Sequence, residues 1–336
     1  MEPNTTLTIF WAAVIGFAII MYVVLDGFDL GVGILFTVVH ENEYRGVMMN
    51  SVAPVWDGNE TWLVMGGGGL LATFPLAYSV LFPAIYAPLI AMLLGLAFRG
   101  VSFEYRWRAT KGRFIWNAGF AGGSLLAAFC QGLALGTVLQ GVEIANREYA
   151  GGWWDWLTPF SILTGLSVVS GYILLGSTWL ILKTEGALQE RAFGIAKVAG
   201  VVTLGFIVAV SIWTPFLGDT YFARWYSWPN ILYVSPVPIL VVIVAALFWR
   251  ALLARQERAP FLLALVLFVI TYAGLAVSMY PYIAPPTLTI FDAAAPSSSQ
   301  IFLLYGAPVL LVILLCYTGY SYWVFRGKVT AKSGYH

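Results

Sequence analysis

Charged side chains are scarce in this sequence. Asp, Glu, Lys and Arg make up 10% of the 336 residues and 60% are hydrophobic, whereas an average soluble domain is about 25% charged. A soluble core cannot absorb that much apolar surface. The net charge of +1 and the pI near 7.7 also leave no basic field that would predict nucleic acid as a partner.

Cysteine and histidine are equally rare. Cys130 and Cys316 both lie inside apolar runs, where we expect no structural disulfide. The two histidines, His40 and His336, fall outside every apolar run, although transmembrane haem is usually held by His or Met side chains inside a bundle. Cys-x-x-Cys, Walker and dinucleotide motifs are missing too. We therefore expect the chain to bind no haem, metal or nucleotide of its own.

The apolar residues come in runs of about 20, the length that crosses a bilayer as a helix. They predict an all-α polytopic membrane protein, a single transmembrane domain over 1–336 with about nine helices. The first run is too long for a cleaved signal peptide and no basic segment precedes it, so we expect a permanent first helix. The predicted spans are 8–37, 55–74, 78–98, 115–141, 157–182, 196–216, 231–250, 260–281 and 301–325. The connection 284–300, with its Pro and Ser residues, predicts an irregular surface loop.

Basic residues sort strongly between the two sides of the predicted bundle. Of the 17 lysines and arginines, all but Arg147 and Arg224 fall on the side of the C-terminus, Lys332 among them. The positive-inside rule then predicts an external N-terminus and a cytoplasmic C-terminus.

Ionisable residues within the spans are few and grouped. The first span contains Asp26 and Asp29, three residues apart and so on one helix face, with Gly27 and Gly31 spaced for close helix packing. Carboxylates at this depth are costly and are functional candidates by default.

The next two spans add further candidates at similar depth. The second opens with Asp57, Glu60 and Thr61 on one predicted face and continues into four glycines at 66–69, which indicate tight packing or a local break beside a polar cavity. The third is predicted to end at Arg99, with Glu104 just beyond.

Plainer interpretations exist for some of these residues. Asp57 and Glu60 could complement the positive end of a helix dipole, and Arg99 could be an inner anchor. Asp29 lies inside an apolar run without a basic neighbour in sequence, so it needs a proton or a cation. A group of acids with one arginine is a common way to build a proton path.

Three segments resemble signature regions of subunit II of the cytochrome bd family of quinol:oxygen oxidoreductases. They read LDGFDLGVG at 25–33, NSVAPVWDGNETWL at 50–63 and FRGVSFEYR at 98–106, and the similarity continues in order through 139–142, 280–281 and 292–300. The short outer loops, and Phe291 where other members have tryptophan before the aspartate, are similar to the branch called cyanide-insensitive oxidases.

The resemblance implies a heterodimer with a subunit I that carries two b-type haems and haem d, oxidises quinol and reduces dioxygen in the bacterial cytoplasmic membrane. This subunit would carry no haem, act as a scaffold and supply part of a proton pathway from the cytoplasm. Some members also hold a quinone or lipid here, and small accessory subunits are compatible with the resemblance. The implied pathway residues are Asp29, Asp57 and Arg99, and their neighbours Asp26, Glu60 and Glu104 complete the set.

Two other functions fit the residue pattern. A secondary ion or solute transporter could use the intramembrane carboxylates as coupling groups around the glycines at 66–69. A purely structural subunit could use the same acids for assembly alone. A transporter would work without a haem-bearing neighbour, and structural acids would not affect turnover once the complex assembled.

The orientation can be tested with reporters. A reporter fused after His336 should be active only in the cytoplasm, whereas one inserted near Ser298 should be accessible only from outside. The reverse pattern would show that the helix count, and with it the depth assigned to the acids, is wrong.

Overall fold

The computed structural model describes residues 4–109 and 111–330; His336 and Lys332 lie outside them. The helices are α1 (Thr5–Ile34), α2 (Asn42–Val52), α3 (Trp56–Thr73), α4 (Pro75–Ala84), α5 (Tyr86–Arg108), α6 (Arg113–Gln140), α7 (Pro159–Lys183), α8 (Gly186–Trp213), α9 (Asp219–Tyr226), α10 (Asn230–Val234), α11 (Pro236–Leu253), α12 (Ala259–Met279), α13 (Ile290–Ala293), α14 (Ser297–Leu303) and α15 (Ala307–Val324). Short 3₁₀ turns follow α1 and α8. Two small antiparallel hairpins pair β1 (Ile144–Ala145) with β2 (Glu148–Tyr149) and β3 (Tyr282–Ala284) with β4 (Leu288–Thr289).

Within the described ranges, eight helical stretches are long and apolar enough to cross a membrane. The remaining predicted span, 55–74, corresponds to α3, which is too polar to qualify by composition because its first turns carry Asp57, Asn59 and Glu60. It nevertheless runs antiparallel beside α1, since Gly66 faces Ile19 and Gly69 faces Ile15. The protein is therefore an all-α polytopic membrane protein, with α3 lying alongside the qualifying helices.

The predicted span 78–98 is wrong in its boundaries. Two helices occupy this region, α4 and α5, and they meet at Ile85. Pro88 has no N–H to donate to the carbonyl of Ala84, which weakens a continuous helix at this point, and the backbone leaves helical geometry at Ile85. Helix α5 then continues to Arg108, which puts Arg99 well inside the helix rather than at its end.

The segment 284–300 is not the irregular surface loop that its composition predicts. It contains β4, α13 and the start of α14, and Ala284 and Gln300 are fully buried. The Trp11 indole N–H donates to the Gln300 carbonyl at 3.3 Å, and the Ala295 N–H donates to the Thr73 carbonyl at 2.8 Å. This segment therefore covers the start of α1 and the end of α3. The last predicted span, 301–325, is likewise divided between α14 and α15.

Helix α1 lies at the centre of the bundle, against α3, α6 and α7. Its Gly31 touches the backbone of α7, where an added Cβ would overlap the Tyr172 carbonyl oxygen and lie 2.9 Å from the Gly176 nitrogen. Gly27 faces the Tyr172 ring in the same way. The close approach predicted from this glycine pair is confirmed, and it brings α1 and α7 into backbone contact.

The four glycines at 66–69 behave differently from the prediction. Helix α3 passes through them without a break. Gly66 and Gly69 make ordinary contacts with Ile19 and Ile15, at 3.6 and 3.5 Å from an added Cβ, and Gly67 and Gly68 have open space beside them. Within this chain they therefore neither break the helix nor create tight packing.

Helix α15 lies at the edge of the bundle, and none of its residues is buried. It is attached through a few side chains near its C-terminal end. The Tyr322 hydroxyl bonds to the Asn59 side chain at 3.1 Å, the Ser321 hydroxyl donates to the Pro54 carbonyl at 3.3 Å, and the Tyr317 ring lies beside Gly58.

The α1–α7 contact predicts a strong effect of a single methyl group. Gly31→Ala should lower the free energy of unfolding by about 1–3 kcal/mol, because the new Cβ has no space between two helix backbones. The control is Gly194→Ala in α8, where nothing lies within 4 Å of an added Cβ. Thermal denaturation of the purified complex measures both, and equal midpoints would contradict the packing argument.

Candidate functional site

Arg99 is the most deeply buried cation of the bundle, with 1% of its side chain exposed. Its Nη1 donates to Asp26 Oδ1 and to Glu60 Oε1, both at 2.8 Å. Its Nη2 lies 3.9 Å from Asp29 Oδ2. Because burying a lone guanidinium would cost several kcal/mol, these three carboxylates are what allows Arg99 to sit inside α5.

The helices bring these residues together from distant parts of the sequence. Asp26 and Asp29 project from one face of α1, one turn apart, and both are fully buried. The antiparallel α3 brings Glu60 from its first turns to the same level, where its side chain stays 26% exposed. Glu60 is therefore the point at which the buried cluster reaches the surface of this chain.

Asn59 also belongs to the cluster, although it was not among the predicted site residues. Its Nδ2 donates to Asp29 Oδ2 at 2.6 Å and to the Leu25 carbonyl at 3.2 Å, and the Tyr322 hydroxyl bonds to its Oδ1. The sequence does contain a sign of this role, because Asn59 is an amide between two acids in a predicted span, and any polar group at this depth needs a partner.

Aromatic rings cover the guanidinium on another side. The Trp56 ring lies 5.8 Å from the Arg99 guanidinium carbon and stacks on Phe103 at 5.2 Å. The far edge of the indole lies against Gly100. The cluster is thereby closed by a cation–π contact in addition to its ion pairs.

The structure gathers four of the six predicted site residues, Asp26, Asp29, Glu60 and Arg99. Asp57 and Glu104 are exposed, and neither forms an ion pair with a described residue. The prediction that Asp57 shares its helix face with Glu60 is only partly right. Asp57 is one turn away on α3 but points to the outside of this chain.

Four polar atoms of the cluster have no hydrogen-bond partner among the described residues. They are Asp26 Oδ2, Asp29 Oδ1, and Nε and Nη2 of Arg99. Three carboxylates also surround a single cation. A second buried arginine, Arg106, lies farther along α5, but its Nε donates to the Asn117 side chain at 2.7 Å rather than to these carboxylates. With all three acids ionised, the site would carry a net charge of −2 in an apolar bundle, which burial disfavours.

The described residues contain no group of three or more His, Cys, Asp and Glu arranged to hold a metal ion. His40 is exposed, in the connection between α1 and α2. The chemistry available at the site is therefore that of carboxylates, one guanidinium and hydrogen-bonding neighbours.

Comparison with known proteins identifies the family. The family model for cytochrome bd terminal oxidase subunit II matches residues 7–325. This chain belongs to that family. It is 32% identical to cytochrome bd-I ubiquinol oxidase subunit 2 of Escherichia coli (strain K12), over 99% of this chain and 97% of the relative. It is 28% identical to cytochrome bd ubiquinol oxidase subunit 2 of Bacillus subtilis (strain 168), over 96% of each.

The fold of this subunit II chain also has a solved counterpart. A bd oxidase structure from Geobacillus thermodenitrificans matches it with a TM-score of 0.73 and 19% identity, covering 96% of this chain and 99% of that one. The family resemblance seen in the sequence is thus confirmed, and the transporter alternative is not favoured.

Arg99 should be essential for assembly of the terminal oxidase subunit. Arg99→Leu leaves buried carboxylates without a cation and should cost about 3–5 kcal/mol, enough to prevent assembly. Arg99→Lys should be intermediate, because it keeps the charge but loses the planar fork. The control is Arg108→Leu, an exposed arginine on the same helix. Yield of assembled complex measures all three, and normal assembly of Arg99→Leu would disprove the role of the ion pairs.

Proposed function

We propose that this chain is the haem-free subunit II of a quinol:oxygen oxidoreductase in the bacterial cytoplasmic membrane. In this proposal it pairs with a haem-bearing subunit I, scaffolds it, and provides part of a proton pathway from the cytoplasm. The family match and the relatives named as ubiquinol oxidase subunits support the reaction. The cluster around Arg99 is the single observation that supports the proton pathway.

The side chains present here support the part of the proposal that places the haems on subunit I. When bound, haem supplies electron transfer and dioxygen reduction, and its iron needs axial ligands such as histidine or methionine. His40 is exposed and outside the spans, and an unpaired intramembrane methionine such as Met92 is packed in the core. The described residues of this chain do not fit a haem site, so the proposal assigns it no electron-transfer step.

The balance of charge favours a cluster that holds protons. One guanidinium neutralises one carboxylate, so the remaining two carboxyl groups are the ones that burial drives toward a shared or bound proton. Since the unpaired atoms of Asp26, Asp29 and Arg99 lie within one site, water can bridge them and help transfer a proton between them.

Polar side chains extend from the cluster in two directions, and they give the proposed path a direction. Tyr322 and Asn59 lead from near the C-terminal end of α15, the predicted cytoplasmic end, to Asp29. On the other side, Glu60 is partly exposed and Asp57 follows on the outside of α3. We propose Asp29 nearest the entrance, Glu60 and Asp57 toward subunit I, and Glu104 as an exposed acid near the cytoplasmic end of α5.

Conservative substitutions test the pathway. Asp29→Asn and Asp57→Asn keep the volume but remove the titrating group, so each should slow oxygen reduction roughly tenfold with little change in quinol binding. Turnover is normalised to haem content, and proton uptake is followed in vesicles. Glu43→Gln, an exposed acid in α2, is the control and should have no effect. Full turnover and normal uptake in both Asp variants would favour the purely structural function.

A further inference from the structure

A second set of polar side chains leads away from the cluster toward α6 and α7. Tyr22 lies four residues before Asp26 on the same face of α1, and its hydroxyl interacts electrostatically with the Asp26 carboxylate. Gln131 of α6 donates from Nε2 to the Tyr22 hydroxyl at 2.8 Å, and the Tyr172 hydroxyl of α7 donates to Gln131 Oε1 at 2.6 Å. The three side chains thus form one hydrogen-bonded row, and its Tyr22 end lies one helical turn from Asp26.

Helix packing fixes this row in place. Tyr22 is 4% exposed and Tyr172 is 1% exposed. The Tyr172 ring lies directly on Gly27, where an added Cβ would be 2.7 Å from a ring carbon. The glycine therefore allows the ring to lie against α1 with its hydroxyl directed at Gln131. Trp62 of α3 is fully buried in the same core cluster as Tyr22.

The direction of the hydrogen bonds follows from the needs of Asp26. Its Oδ2 is buried and has no hydrogen-bond partner among the described residues, so a donor is required there. A hydroxyl has one hydrogen to donate. When Gln131 donates its N–H to the Tyr22 oxygen, the Tyr22 hydrogen is free for Asp26. With the opposite amide orientation Tyr22 would donate to Gln131, and Asp26 would lose its donor.

We propose that Tyr22 is a positioning residue that donates to the ionised Asp26, that Gln131 and Tyr172 hold it in that orientation, and that this row sets the pH at which the cluster takes up its proton. The inference rests on the proposed proton pathway. The titratable and charged groups that interact with Asp26 from α1 and the surrounding helices are Tyr22, Asp29, Glu60, Arg99, Tyr172 and Tyr322.

Removing the donor has a defined sign. Tyr22→Phe leaves the ionised Asp26 with one hydrogen bond fewer, which favours the protonated carboxyl group. The pH at which turnover is half-maximal should move upward by about half to one pH unit. Gln131→Leu should move it in the same direction. In the double variant the shift should equal that of Tyr22→Phe alone, because Gln131 acts through Tyr22.

The experiment uses the assembled oxidase complex in membranes, with turnover per haem recorded against pH. A second readout is the infrared C=O band of protonated carboxyl groups, assigned to Asp26 by its loss in Asp26→Asn. The control is Tyr272→Phe, which removes a hydroxyl that donates to the Gly16 carbonyl of the same α1 at 2.8 Å. It disturbs helix packing in a comparable way but lies outside the row.

The outcomes separate this inference from the proposed function. The inference is supported if Tyr22→Phe and Gln131→Leu raise both the pH of half-maximal turnover and the pH at which the Asp26 C=O band is lost. Tyr272→Phe should raise neither. In a second outcome, Asp26→Asn changes the dependence of turnover on pH, but Tyr22→Phe and Gln131→Leu behave like the control Tyr272→Phe. The row then does not set the pH of proton uptake, and the proposed pathway is unaffected. Additive shifts in the double variant would overturn the inference as well. If Asp26→Asn itself leaves profile and band unchanged, the pathway assignment of Asp26 fails. Gln131→Leu provides the test if Tyr22→Phe fails to assemble.

Discussion

The ion pairs of Arg99 join α1, α3 and α5 at one level of the bundle. A guanidinium buried this completely must be paired, and its partners, Asp26, Asp29 and Glu60, come from two other helices. Apolar packing adds to this contact between α3 and α1, because the buried Trp62 of α3 lies in one core cluster with Ala18 and Tyr22. The ion pairs that help to hold the helices together leave an excess of carboxylates, so stability and the proposed proton pathway share one site.

Two glycines of α1 allow α7 to pack close to the Arg99 cluster. Gly27 and Gly31 bring α7 into contact with α1, and this contact carries Tyr172 to the distance at which its hydroxyl meets Gln131. A larger residue at either glycine would move α7 outward and separate the row of hydroxyl and amide groups from Asp26. The helix packing and the hydrogen-bond network are therefore two results of one short motif in α1.

The sequence was sufficient to predict the membrane-spanning class, the family and the four members of the Arg99 cluster, because charged residues in apolar runs are visible without a structure. It was not sufficient for Asn59, Tyr22, Gln131 and Tyr172. Uncharged polar residues are common in membrane helices, and their importance appears only when helices far apart in sequence meet. Local rules also failed at 66–69, where α3 continues through all four glycines, and at 284–300, where contacts with α1 and α3 order a segment whose composition predicts a loop.

The polarity of α3 affects how the protein enters the membrane. Acids oppose the insertion of a membrane helix, most strongly at its centre, and α3, which carries Asp57 and Glu60 in its opening turns, is too polar to qualify as a span by composition. We therefore expect its insertion to depend on α1, which precedes it, and on Arg99 of α5. Of the four charged members of the cluster, this cation is the last in the sequence and so the last to leave the ribosome.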